Sequence, residues 1–221
     1  MSRQATLTPR FRCLSTLEFV LGAAVVILHN VYRLVPNEVP ILFVAGWISI
    51  RLRNGGWRTV GLTRPSSWKW TVAIAMTVAV LRLALWEVVL LPLLSSAWPQ
   101  PHAPQGANLV HGSLGAALLA LLIIWTFAAF GEELSYRGYL LNRAAEIANR
   151  SRVAWLLALA AASVLFGFGH FYKGPAGVVD SGVAGLLLGG AYLLSRRNLW
   201  VPILAHGFID TIAVVATYLG G

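Results

Sequence analysis

SLGAALLALLIIWTFAAFGEELSYR, residues 113–137, decides how this chain is read. Residues 113–131 carry no charge. At 1.5 Å per residue, a helix of that length covers about 28 Å, close to the roughly 30 Å hydrocarbon core of a bilayer. Two adjacent carboxylates, Glu132 and Glu133, follow at once, with Arg137 behind them. The stretch therefore predicts a membrane span that ends on a cluster of ionisable groups.

Outward from it, further apolar segments lie at 17–35, 39–50 and 69–94 before it and at 153–171, 176–194 and 199–219 after it. Turn residues punctuate them: Pro36 and Pro40, Asn54-Gly55-Gly56, Pro99, Pro101 and Pro104, and Gly174-Pro175. Seven spans are predicted, the 39–50 segment being long enough only if tilted or re-entrant. The expectation is an all-α polytopic membrane helix bundle. It divides into an N-terminal cytoplasmic tail (1–16), membrane helices without a motif (17–112) and a motif-bearing membrane core (113–221).

Composition agrees. The chain is 57% hydrophobic and 11% charged, with a mean hydropathy of +0.71, whereas soluble domains run near 45–50% apolar and about 25% charged. Soluble enzymes, disordered proteins and secreted disulfide scaffolds are excluded. The single cysteine, Cys13, forms neither an internal disulfide nor a thiolate metal cluster. The net charge of +9 is placed between apolar runs, which points to membrane topology and away from nucleic acid.

With the N-terminus cytoplasmic, fourteen of the seventeen cations fall on that side, all but Arg33, Arg82 and Lys173, and the 95–112 loop has none. No cleavable signal peptide is expected, because His29, Asn30 and Arg33 interrupt the first span with no small-residue cleavage site behind them. Tryptophans 47, 57, 68, 70, 98 and 200 lie near predicted span ends, as interfacial anchors do.

Ionisable groups in hydrocarbon are costly, and those that persist face a bundle interior, pair, or work. Of the eight acidic residues, Glu18, Glu38, Glu146 and Asp180 read as loop or span-end residues with no special role. Glu87, Glu132, Glu133 and Asp210 remain. On a helix Glu133 and Arg137 are four apart, in the favourable order for an ion pair. Glu132 points about 100° away and stays uncompensated. A second cluster is Phe166-Gly167-Phe168-Gly169-His170, whose glycines admit a close backbone and whose Phe166 and His170 are one turn apart. A third, His206-Gly207-Phe208-Ile209-Asp210, puts both polar groups on one face. Each alone has a plain structural reading: a solvated helix end, an interhelical hydrogen bonder, a His-Asp pair. Together, two carboxylates and two histidines on three spans are the ingredients for activating a water, and amide hydrolysis is the natural reaction.

In order and spacing, Glu132-Glu133-x-x-x-Arg137, Phe166-x-x-x-His170 and His206-x-x-x-Asp210 resemble the three motifs of the CPBP intramembrane proteases. That family includes the type II CAAX prenyl endopeptidases and bacteriocin-processing or self-immunity proteins. The resemblance covers roughly residues 127–215 and implies about eight helices around a site open to the cytosol, one of them formed by the stretch after Arg137. It also implies that Glu132 and His170 activate the water, that Glu133 and Arg137, with Phe166, support the site, and that His206 with residue 210 stabilises the oxyanion. Prenyl-processing members carry asparagine where this chain has Asp210. An ionised carboxylate cannot donate to an oxyanion, so Asp210 must be protonated, orient His206 or ligate a metal. Two forms of the chemistry stay open. One uses no cofactor, and the other a zinc held by His170, His206 and Glu132 or Asp210.

The expected partners are the lipid bilayer and a peptide or protein substrate reaching the membrane, with no nucleic acid. The expected location is a bacterial plasma membrane with the site toward the cytoplasm. The alternative is a non-catalytic immunity or scaffold protein that binds a peptide or membrane partner. A transporter is disfavoured because no internal repeat is visible. Arg82 and Glu87, five apart in the third span, are expected to make interhelical structural contacts.

Overall fold

The computed structural model describes residues 6–98 and 107–220, and every regular element in it is helical. Seven long helices form a bundle: α1 (Pro9–Asn30), α2 (Glu38–Asn54), α3 (Trp68–Ala97), α4 (Leu114–Ile147), α5 (Arg152–Phe168), α6 (Gly174–Leu194) and α7 (Trp200–Leu219). A single helical turn, Ala107–Val110, precedes α4. Local sequence sets the boundaries. Thr8, Asn37, Ser67, Ser113 and Ser151 each accept a backbone N–H as N-caps, and Gly55 ends α2 at a φ of 83°.

Five segments are long and apolar enough to cross a membrane: α1, α3, α4, α7, and Phe171–Leu194, which is α6 with the short turn before it. With α2 and α5 at 17 residues each, about 25 Å, this is fewer than the seven to eight crossings the sequence predicts. Leucines 118 and 122 and Phe127 on α4, Leu156 and Leu157 on α5 and Val80 and Leu81 on α3 are exposed outward. Lipid, not water, suits such a surface. The protein is a multi-pass membrane protein.

The largest departure from expectation is α4. The sequence ends its span at Gly131 and implies a further helix after Arg137. Instead one helix continues for 34 residues through Ile147, widening to i→i+5 turns over Ile124–Glu132 and Leu134–Leu140. Such turns are rare and recur at functional sites. The helix continues because its charges are satisfied internally: Glu133 and Arg137 are 0% and 2% exposed and paired with each other. The motif therefore lies in the middle of the longest helix.

Three carboxylates read as span-end residues without a role are bundle-tying groups. Glu146 is fully buried and accepts from Arg143, Arg150 and Ser15. Glu18 bonds Ser49, Arg53 and Arg143. Asp180 pairs with Arg82, which joins α3 to α6 and bears out the interhelical reading of Arg82. The matching expectation for Glu87 fails. It is exposed in the wide turn Trp86–Leu90 and pairs with no cation among the described residues.

The bundle has two chemically distinct ends. At one end lie Arg10, Arg12, Arg51, Arg53, Arg58, Arg64, Lys69, Arg143, Arg150, Arg152, Arg196 and Arg197, at or near the start of α1, the α2–α3 turn, the α4–α5 turn and the α6–α7 turn. Cross-links fix these turns side by side: Leu7 N–H to Asn149 Oδ1 at 3.0 Å, Arg143 Nη2 to Asn54 Oδ1 at 2.7 Å, and Leu199 N–H to Gly61 O at 3.1 Å. At the other end, the α1–α2 loop and the α5–α6 turn meet.

Candidate active site

Glu133 is the hub. Its Oε1 accepts from Arg137 Nη1 at 2.7 Å and from His206 Nδ1 at 2.8 Å. Arg137 also donates to the Gly185 carbonyl at 3.3 Å and lies over the Phe166 ring, 4.3 Å from its centroid. One cation thereby joins α4, α5 and α6. The other nitrogen of His206, Nε2, lies 3.5 Å from Asp210 Oδ2. The ring can donate to both carboxylates only when both nitrogens carry hydrogens.

His170 stands at the end of α5. Its Nδ1 lies 2.9 Å from the Phe166 carbonyl. A carbonyl only accepts, so Nδ1 carries the hydrogen and Nε2 is left as the basic nitrogen. Phe166 is the packing centre, with ring centroids 5.0 Å from Tyr136, 4.9 Å from His170 and 6.1 Å from His206. His206 and Asp210 lie within electrostatic reach of both Glu132 and His170.

Oε2 of Glu132 and Oε2 of Glu133 are both buried without a hydrogen-bond partner, but Glu133 holds Arg137 and His206 through Oε1, and Glu132 makes no such bond among the described residues. The i,i+4 reading holds for Glu133–Arg137, for Phe166–His170 and for His206–Asp210, and Glu132 is the carboxylate left over. The glycines behave as their spacing predicts. A Cβ at Gly167 would sit 2.6 Å from the Val178 carbonyl, and one at Gly169 2.6 Å from Tyr136 Oη. At Gly207 a Cβ would meet the Trp125 ring at 2.4 Å, so α7 approaches α4 only through that glycine.

Sequence reasoning missed one wall of this site. Glu38, at the start of α2, is 5% exposed. Its Oε2 lies 3.4 Å from His29 Nε2, and its Oε1 sits beside Gly169 and the unpartnered Tyr136 hydroxyl. The motif-free half of the chain thus brings a carboxylate and a histidine against motif-bearing residues. The only hint was polar: Glu38 is one of very few acids in the chain.

A zinc site fits the geometry poorly. Among the described residues no three His, Cys, Asp or Glu side chains gather as a ligand set. Both nitrogens of His206 face carboxylates, and Nδ1 of His170 is committed to a carbonyl. The set His170, His206 and Glu132 or Asp210 does not form a ligand cage as it stands.

A helical membrane bundle that holds Glu132, Glu133, His206 and Asp210 among its helices, with His170 packed on Phe166 beside His206, defines a class of intramembrane protein in which polar chemistry is held inside the helices. Residues 114–212 match the family model described as Type II CAAX prenyl endopeptidase Rce1-like, which supports the resemblance of the three motifs. The matched segment holds all three motifs, and residues before 114 lie outside the match. No curated protein and no solved structure matches the chain.

Proposed function

We propose that the protein is an intramembrane endopeptidase that hydrolyses a peptide bond near the C-terminal or juxtamembrane part of a membrane-associated peptide. The observation that carries this is Glu132, whose Oε2 is buried without a partner and which makes no hydrogen bond among the described residues, one residue from Glu133, whose Oε1 already holds Arg137 and His206. A buried polar atom without a partner calls for a ligand, and a water is the smallest that serves. The match to a family of prenyl endopeptidases supports the reaction class.

In this reading Glu132 takes a proton from the water as its oxygen attacks the scissile carbonyl carbon. His170, through Nε2, holds the same water in line. The carbonyl oxygen gains the charge, and His206 Nε2–H turns from Asp210 to donate to it. As the C–N bond breaks, the proton held by Glu132 passes to the leaving nitrogen. Glu133 and Arg137 hold His206 in place and do not touch substrate. Positioned general bases contribute about 10²–10⁴-fold, and a single oxyanion donor about 10²–10³-fold.

The test is cleavage of fluorogenic membrane-terminal peptides by detergent-purified protein, with and without chelator, alongside metal analysis. Glu132→Ala should lower kcat/KM by at least about 10²-fold with unchanged membrane insertion. Metal-free protein whose activity depends on Glu132 supports carboxylate-activated water. Stoichiometric zinc with chelator-sensitive activity would replace it with a metal mechanism. Folded wild-type protein that cleaves nothing across the panel would favour a non-catalytic binding role.

A further inference from the structure

At the cationic rim of the bundle, the turn after α2 and the turn between α6 and α7 enclose a pocket of about 290 Å³. Four arginines line it, Arg58 and Arg64 from the first turn and Arg196 and Arg197 from the second. No acid lines it, and none occurs in residues 39–86 or 181–209, the stretches that build its walls. At the same end of the bundle Arg53, Arg143 and Arg150 are neutralised by Glu18 and Glu146. The four arginines of the pocket pair with no carboxylate among the described residues.

The walls are fixed by the chain's own contacts. Leu199 N–H donates to the Gly61 carbonyl at 3.1 Å. Gly61, at a φ of 99°, lies so close to the second turn that a Cβ there would collide with the Arg197 carbonyl. Arg197 N–H donates to the Tyr192 carbonyl at 2.7 Å, and its guanidinium lies 5.3 Å from the centre of the Trp155 ring. Arg196 and Arg197 both take left-handed backbone, with φ of 60° and 62°. That conformation is uncommon outside glycine and clusters at ligand clamps.

Guanidinium groups bind phosphate oxygens through paired N–H donors, and Thr63 and Ser66 add hydroxyls to the same pocket. The surroundings place it at headgroup depth. Trp68, at the start of α3, and Trp200, at the start of α7, meet edge-on with ring centroids 5.4 Å apart, and Trp70 is 72% exposed. Such rings settle at the membrane interface. Leu194, directly before Ser195 of the pocket wall, is 88% exposed, so an apolar surface begins where the pocket ends. A lipid phosphate uses both surfaces, whereas a free phosphate uses only the first. We propose that this pocket binds the phosphate headgroup of an anionic phospholipid, with Arg58, Arg64, Arg196 and Arg197 as its cationic wall. Basic pockets between membrane helices hold headgroups in this way. The bound lipid ties the α2–α3 turn to the α6–α7 turn and so braces α7, which carries His206 and Asp210. The binding is independent of the proteolytic reading.

The test is lipid retention by native mass spectrometry and thermal unfolding of delipidated protein in detergent. Phosphatidylglycerol, phosphatidylcholine and inorganic phosphate are added separately at one concentration. One retained phosphatidylglycerol per chain is expected, with the unfolding midpoint raised by about 5 °C or more at saturation. Phosphatidylcholine and inorganic phosphate should do neither. Arg64→Gln combined with Arg196→Asn, which keeps a residue that accepts left-handed backbone, should weaken retention at least about tenfold and leave the lipid-free midpoint unchanged. Arg10→Gln combined with Arg152→Gln removes as much charge from exposed positions outside the pocket and should retain the lipid as wild type does. Thr63→Val with Ser66→Ala, which leaves every charge in place, should also weaken retention, and it carries the test if the arginine pair fails to fold. An equal response to phosphatidylcholine or to inorganic phosphate overturns the proposal. So does equal loss of retention in the Arg10, Arg152 pair, which would make the attraction a diffuse effect of net charge.

Discussion

At the residue scale the site is governed by how each charge is partnered. Glu133 is buried and satisfied on one oxygen by both Arg137 and His206. Removing one member of a buried pair strands the other and costs about 3–5 kcal/mol. Arg137→Ala should therefore lower the midpoint of thermal unfolding in detergent and the folded yield. Arg137→Lys should recover only part of this, because a single ammonium cannot bond Glu133, reach the Gly185 carbonyl and cover Phe166 together.

Asp210 is a different case. It meets His206 Nε2 and is partly exposed, so an asparagine there still offers an acceptor to the ring and adds donors for an oxyanion. Asp210→Asn should keep kcat/KM within about tenfold of wild type, while Asp210→Leu, which offers neither, should lose about 10²-fold or more.

Between helices, polar pairs and glycines set the spacing. Arg82 on α3 reaches Asp180 on α6, both mostly buried. Arg82→Ala should destabilise the protein in detergent by a few kcal/mol, and Arg82→Leu combined with Asp180→Leu should recover much of it, since two apolar groups leave no unpaired charge behind. Thermal unfolding of the three proteins decides this.

The same elements show how much the sequence discloses. Helices, their approximate number and the i,i+4 pairs at 133–137, 166–170 and 206–210 follow from composition and spacing, because both are local. The continuation of α4 past Arg137 was hidden because Glu132-Glu133 reads as a helix end whenever the partner is unknown. The partner, His206, is 73 residues away. Glu38, Glu146 and Asp180 were set aside for the same reason: each is explained by a residue on another helix.

On the scale of the whole molecule, the N-terminal helices are built into the site and its foundation. Glu38 and His29 form a wall beside Tyr136. At the far end, Ser15, Glu18 and Arg53 tie α1 and α2 to Arg143 and Glu146 of α4. Glu146→Ala would leave Arg143 and Arg150 without their shared buried partner. Limited proteolysis of that variant should show earlier cutting near the start of α1 than in wild type, and cleavage activity should fall with it, although the substitution lies 14 positions along α4 from Glu132.

Glu87 points outward from the wide turn of α3, 19 positions beyond Trp68. Apolar helix continues beyond it, through Leu94 and on to Ala97, so the acid stands within an outward surface that is otherwise greasy. A carboxylate so placed draws water and headgroups toward itself, and the local thinning that follows couples the setting of α3 against α6 and α7 to the lipid that surrounds it.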